Sequence, residues 1–183
     1  MNLDEFMKEH YLNEKISVTG IGSDYNKILI EEFTKYLLDY FRLNINIKIK
    51  LKKSMGKSFG YVDFNVALSK TPELVIEDGG VSILLNRLTH ELTHIKQVIN
   101  KELEYDKDKE VIIWKGKEAI FLKDYNSKMD YNKYKELPWE AEAINNSETL
   151  VKPFKLTKYY KELSNKDETL KMLIDKDWLI WTT

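Results

Sequence analysis

His90-Glu91-Leu92-Thr93-His94 is the stretch of this chain whose residue types and spacing can do chemistry. On a helix, residues four apart stand one turn above each other, so both imidazoles can reach a single metal ion. Zinc suits such a pair: it takes neutral imidazole nitrogens at about 2.0–2.1 Å and imposes no geometry that a helix violates. Glu91 then sits beside the metal rather than on it, placed to take a proton from a metal-bound water. The pattern is loose, and two histidines on a surface helix need no function. Here, however, it uses two of only three histidines in the chain.

The element that must carry the pair is a helix over residues 81–100. Val81, Leu84, Leu85, Leu88, Leu92, Ile95 and Ile99 fall on one stripe at about 100° per residue. Gly79-Gly80 makes a natural entry turn, and no proline interrupts the run. His90 and His94 project to the opposite side. Such a helix offers its back to the core and its histidines to whatever covers the other side, which is the layout of a cleft.

Two histidines do not complete a catalytic zinc site, which takes three protein ligands plus water. His10 is the only other histidine and lies far upstream on a polar segment, so a carboxylate from a second helix is expected. Leu137-Pro138-Trp139-Glu140-Ala141-Glu142-Ala143 supplies candidates. Pro138 suits the first helical position. Residues 139–151 then read as a helix burying Trp139, Ala143, Ile144, Ser147, Leu150 and Val151. Glu140 falls inside that apolar sector, where a carboxylate is costly unless paired or on a metal. Glu142 points to the other side, among Asn145, Asn146 and Thr149. Glu140 is the preferred ligand and Glu142 the alternative; both could instead merely exploit the positive end of the helix.

His90-Glu91-x-x-His94 followed by a downstream helical glutamate resembles the gluzincin metallopeptidases, whose third ligand often sits in an E-x-x-[SA]-[DN] pattern. Glu140-Ala141-Glu142-Ala143 matches through the alanine, which again places the ligand at Glu140; Ile144 stands where the family has Asp or Asn. The HELTHIKQ and LPWEAEA segments together look like short HExxH proteins carried by phages and mobile elements, over about residues 60–150. The resemblance implies an α+β, zincin-like fold: a small sheet packed on the HExxH helix, with a downstream glutamate helix. It also implies Zn2+ as cofactor and a peptide or protein substrate. The metzincin extension would need Gly at position 97 and His at 100, where the chain has Gln97 and Asn100. DNA-linked zinc proteases that take a third histidine fit no better, because none follows His94.

The remaining elements agree with that outline. Residues 1–11 read as a short amphipathic helix and Gly20–Asp24 as a loop, with Ser23 or Asp24 capping a helix over Tyr25–Arg42. Ile45–Leu51 alternates strictly and predicts a strand, as do Gly60–Leu68 and Glu73–Glu77. Beyond the motif, Glu102–Tyr105, Glu110–Trp114 and Ala119–Leu122 predict a small hairpin beside the site. Lys123–Glu136 reads as irregular. The tail predicts helices over Lys155–Ser164 and Lys166–Lys176, then a docked terminus at Trp178–Trp181. Strands followed by the motif helix make an α+β outline. A strand edge near the motif could hold a peptide in extended form.

Composition narrows the function classes. At 183 residues the chain reads as one domain, 1–183. Its 29 basic and 30 acidic residues leave no global pull toward nucleic acid. With no cysteine there is no disulfide, Cys-ligated zinc or thiol nucleophile. The N-terminus lacks an apolar core, and no stretch approaches the roughly 18 apolar residues of a membrane span. A cytoplasmic protein without membrane contact is expected. Lys48, Lys50, Lys52, Lys53 and Lys57 read as a solvated strand face before a polyanion contact. Met55-Gly56-Lys57-Ser58 is no P-loop, because its earlier glycine would fall at Leu51.

The expected activity is zinc-dependent peptide hydrolysis with Glu91 as general base and an oxyanion partner from Tyr134, Tyr131 or Arg87. The rival classes are a non-catalytic binding module on a zincin scaffold, contacting a host or viral protein, and a DNA-associated protein using the Lys48–Lys57 region.

Overall fold

Alternation of apolar and lysine residues makes β2 (Ile47–Lys52), with Ile47, Ile49 and Leu51 buried and Lys48 and Lys50 exposed. It pairs in parallel with β1 (Ile16–Gly20), from Ile16 opposite Ile47 to Gly20 opposite Leu51. Its other edge pairs in parallel with β4 (Glu73–Glu77), which in turn pairs antiparallel with β3 (Gly60–Val62). The sheet order is β1-β2-β4-β3. This register sets Lys48 opposite Glu73 and Lys52 opposite Glu77, so opposite charges stand side by side along the basic strand. The computed structural model describes residues 16–53, 60–62, 71–121, 123–125 and 129–166. The helix expected over residues 1–11, His10, the 55–58 segment, most of the Gly60–Leu68 strand, the helix expected from Lys166 onward and Trp178–Trp181 fall wholly or largely outside those residues.

One face of this sheet is covered by helices. α1 (Asp24–Phe41) starts at Ser23, whose Oγ accepts from the Asn26 amide at 3.1 Å, and ends at Arg42 in the left-handed conformation. It buries Leu29, Ile30, Phe33, Leu37 and Leu38. α2 (Val81–Ile99) adds Val81, Leu84, Leu85, Leu88, Leu92 and Ile95 to the same core. The predicted stripe is therefore the buried stripe. α2 touches α1, β3 and β4. α4 (Pro138–Leu156) lies along α2 and buries Leu150, Val151 and Phe154 in that core. α5 (Lys158–Lys166) follows and adds Tyr160 to the same core.

A second sheet follows α2: β5 (Leu103–Asp106), β6 (Val111–Trp114) and β7 (Lys117–Phe121), all antiparallel. Lys115 and Gly116, with φ of 49° and 77°, make the two-residue turn between β6 and β7. Both residues lie at positive φ, as the favoured hairpin turn demands. Leu103 and Ile112 pack with Val98 of α2 and Trp139 of α4, and Trp114, Tyr125 and Leu137 line the same cluster. α3 (Tyr131–Glu136) then leads into α4. No helix among the described residues is long and apolar enough to cross a membrane.

The mixed α/β architecture with small sheets agrees with the expected class, and four details differ. β1 occupies residues to which the sequence assigned no element, up to Gly20 at the start of the expected loop; it has no fully buried residue, and only its parallel pairing with β2 defines it. α3 interrupts the segment read as irregular. α4 continues through Pro153 to Leu156 rather than ending at Val151, because Phe154 packs on Phe33 with ring centroids 4.6 Å apart. That contact outweighs the one helical hydrogen bond a proline removes. The helix expected over Lys155–Ser164 therefore starts at Lys158, beyond Thr157, whose Oγ1 accepts from the Tyr160 amide.

Gly20 shows how closely β1 approaches β2. It sits at φ 95°, and a Cβ there would stand 2.2 Å from the Leu51 carbonyl oxygen. Gly20→Ala must meet both the positive-φ penalty, about 1–2 kcal/mol, and a backbone clash inside a paired strand. A thermal melt should show Tm falling by at least about 4 °C, at roughly 2–4 °C per kcal/mol for a domain of this size. An unchanged melt would show that β1 does not hold this register.

Candidate metal centre

The site begins with the helical pitch of α2. His90 and His94 lie one turn apart on the flank away from the Leu84–Leu88–Leu92 stripe, with rings 4.7 Å apart and perpendicular. The hydroxyls that precede each of them are satisfied within the helix: Thr89 Oγ1 donates to the Leu85 carbonyl at 2.9 Å and Thr93 Oγ1 to that of Thr89 at 2.8 Å. The histidines are thus the polar groups α2 turns outward here. What faces them is the first turn of α4.

Pro138 starts α4 and Trp139, fully buried against the second sheet, fixes its entry. Glu140 follows at 1% exposure. Its Oε2 stands 3.3 Å from His90 Nε2 and 3.4 Å from His94 Nε2, and the two Nε2 atoms are 3.1 Å apart. Three ligand atoms around a tetrahedral ion at about 2.0–2.1 Å would stand about 3.3–3.4 Å from one another. The triangle therefore has the size of one face of a zinc tetrahedron. Among the described residues, His90, His94 and Glu140 are the group able to hold a metal ion.

Hydrogen bonding directs Glu140 and His94. The Tyr125 hydroxyl donates to Glu140 Oε1 at 2.8 Å, and Tyr134 also bonds to this carboxylate. Oε2 is buried with no hydrogen-bond partner. An orphaned carboxylate oxygen is costly, and this one points at two imidazole nitrogens, so a cation is the group that would satisfy it. Behind His94, Nδ1 lies 2.9 Å from Gln97 Oε1.

The electrostatics follow from burial and these contacts. Burial pushes the Glu140 carboxyl up, but the nearness of the His90 and His94 rings, Tyr134 and the charge on His94 outweigh it and hold it well below the usual range. Burial pushes His94 down, yet Glu140, Glu91 and Gln97 together raise it to about 9. The Tyr125 and Tyr134 phenols are pushed up, first by burial and then by the Glu140 charge, and so stay protonated as donors. Glu91, 7% exposed, is raised by burial against the pull of His94 and His90.

Each residue singled out in the sequence can now be placed. His90, His94 and Glu140 come together, with Glu91 between the histidines in sequence and buried. Glu142 does not join them. Expected as the alternative ligand, on the polar side of its helix, it turns onto the flank of α2, where Lys96 Nζ donates to it at 2.8 Å and Gln97 Nε2 at 3.2 Å. Asn146, one turn on, likewise reaches α2 and donates to Thr93 Oγ1 at 3.2 Å. Among the oxyanion candidates, Tyr134 is at the ligand carboxylate and Tyr131, 67% exposed, stacks on it at 6.4 Å. Arg87 instead donates to the Glu77 carbonyl at 2.8 Å, at the end of β4. Sequence reasoning missed Tyr125 and Gln97. Gln97 carried a signal, since it stands three residues after His94 on one helix face; Tyr125 carried none.

No protein-family model, curated protein or solved structure matches this chain. What the centre can do rests on its own geometry.

Proposed function

We propose that the chain is a zinc-dependent peptidase of gluzincin type, built on a zincin-like fold. The observation that carries this reading is the convergence of His90 Nε2, His94 Nε2 and the orphaned Glu140 Oε2 at 3.1–3.4 Å spacing. A zinc ion held there would supply a bound water of lowered pKa and a Lewis acid for the scissile carbonyl. The chain's own side chains do the rest. Glu91 is a buried carboxyl beside the histidines whose proton affinity burial raises, and a carboxylate so placed can accept a proton and pass it to a leaving amine. Tyr125 holds Oε1 of Glu140 and so commits Oε2 to the centre. Tyr134, which interacts with the ligand carboxylate while Arg87 bonds to the end of β4, is the group we assign to the oxyanion. β3, at the end of the sheet order beside α2 among the described residues, offers an edge to which an extended peptide could add.

Two imidazoles and a carboxylate also suit other divalent ions, so the test must identify the metal. The full chain would be analysed for bound elements, then incubated with a mixture of unstructured peptides whose cleavage is read by mass spectrometry. Cleavage abolished by a chelator and restored by zinc is the expected result. A zinc-loaded chain that cleaves nothing would sink the peptidase reading and leave a metal-holding binding module in its place.

A further inference from the structure

Gln97 is fully buried, and its amide has only one way round. Its Nε2 faces the Trp139 carbonyl at 2.9 Å and Glu142 Oε2 at 3.2 Å. Neither oxygen can donate, so turning the amide over would set three acceptors against one another. With the NH2 held there, Oε1 can only face His94 Nδ1, at 2.9 Å, and can only accept. The imidazole must then keep a proton on Nδ1, and Nε2 is the nitrogen left to face the centre. Glu142 is itself held: Lys96 Nζ donates to it at 2.8 Å and to Glu102 Oε2 at 2.6 Å. A continuous chain of contacts thus runs from Glu102, just before β5, through Lys96, Glu142 and Gln97 to His94.

We propose that Gln97 is a positioning residue of the metal centre, oriented by Glu142 and the Trp139 carbonyl so as to fix the tautomer and angle of His94. This rests on the reading that His94 is a metal ligand. It assigns different roles to the two glutamates that looked like rivals in sequence: Glu140 faces the ion, while Glu142 faces the residue that aims its neighbour. The arrangement also ties the two ligand helices together. His94, Lys96 and Gln97 belong to one turn of α2, Glu140 and Glu142 to one turn of α4. Contacts that set the ring therefore also set where the carboxylate meets it. Ile144, at the position where the resembled family carries Asp or Asn, offers no polar group to a histidine; Gln97 supplies one from the motif helix itself.

The test uses the full chain and zinc alone, with Kd read by competition against a chromophoric chelator. Gln97→Leu keeps the side-chain size and removes the acceptor. Gln97→Glu combined with Glu142→Gln keeps an oxygen at His94 Nδ1 and reverses the donor between the two side chains. Both variants leave the Trp139 carbonyl without its donor, and the double variant also sets a carboxylate oxygen against it. Zinc binding kept by the double variant and lost by Gln97→Leu is therefore traced to the acceptor at His94 Nδ1. Gln97→Leu should weaken zinc binding by about 10–100-fold, and the double variant should stay within about threefold of wild type. Binding by Gln97→Leu within threefold of wild type overturns the proposal, as does a double variant as weak as Gln97→Leu. Should Gln97→Leu fail to fold, the double variant decides alone: a loss of about tenfold overturns the proposal. A wild type that binds no zinc removes the ligand role of His94 and with it both this proposal and the reading it rests on; the variant outcomes overturn this proposal only.

Discussion

Glu91→Gln should take up metal as the wild type does and hydrolyse peptides about 10²–10⁴-fold more slowly, the usual contribution of a positioned general base. The amide has the shape of the carboxyl, so the 7% exposed site refills without a cavity. None of the three converging ligand atoms belongs to Glu91, which is why metal content should hold. Folding should not suffer either: burial is the largest influence on Glu91 and penalises its charged form, a penalty that a neutral amide escapes. Elemental analysis, a thermal melt and kcat/KM on a cleaved peptide, measured on the same preparation, make the comparison. A variant as fast as wild type would remove Glu91 from the chemistry. One that loses both metal and stability would make Glu91 structural.

Metal removal is the second large effect. If zinc binds the folded chain alone, free zinc at about 1,000 times Kd stabilises it by about 4 kcal/mol. At roughly 2–4 °C per kcal/mol, chelation should then lower Tm by about 8–16 °C. His94→Ala and Glu140→Ala should abolish both the metal content and this chelator-sensitive shift, because each removes one corner of the 3.1–3.4 Å triangle. Glu142→Ala should keep measurable metal with weakened affinity, since its carboxylate contacts Lys96 and Gln97 rather than the centre. The reverse ranking of the two glutamates would show that the turn of α4 differs from the one described. No chelator effect on wild type would mean that the three side chains converge without holding an ion.

The contrast between Glu140 and Glu142 shows how far local pattern reaches. A 3.6-residue period reports which side of a helix is buried, and that was enough to put Glu140 in the apolar sector of α4 and His90 and His94 opposite the stripe of α2. Period says nothing about which neighbour covers a side. Glu142, Asn145, Asn146 and Thr149 read alike as a polar flank, yet Glu142 and Asn146 pack onto α2 while Thr149 is exposed. β1 escaped notice for the same reason: Ile16–Gly20 has too little buried surface to betray a strand, and its partner lies about thirty residues away. The end of α4 was likewise set from outside it: the helix runs past Val151 and through Pro153, where Phe154 packs on Phe33.

By itself, then, the sequence determined the motif helix, its core stripe, the outward pair of histidines and the acidic first turn of α4. These are properties of spacing along one element, set by backbone geometry and the cost of exposing apolar surface. Only the tertiary structure decided that His90, His94 and Glu140 meet within one triangle, that Tyr125 claims one oxygen of Glu140 and leaves the other bare, and that Gln97 stands behind His94. Those outcomes depend on how α2, α4 and the second sheet are held together by Val98, Leu103, Ile112 and Trp139. A hydrogen bond needs its partners placed to within a few tenths of an ångström, and only long-range packing sets positions that finely.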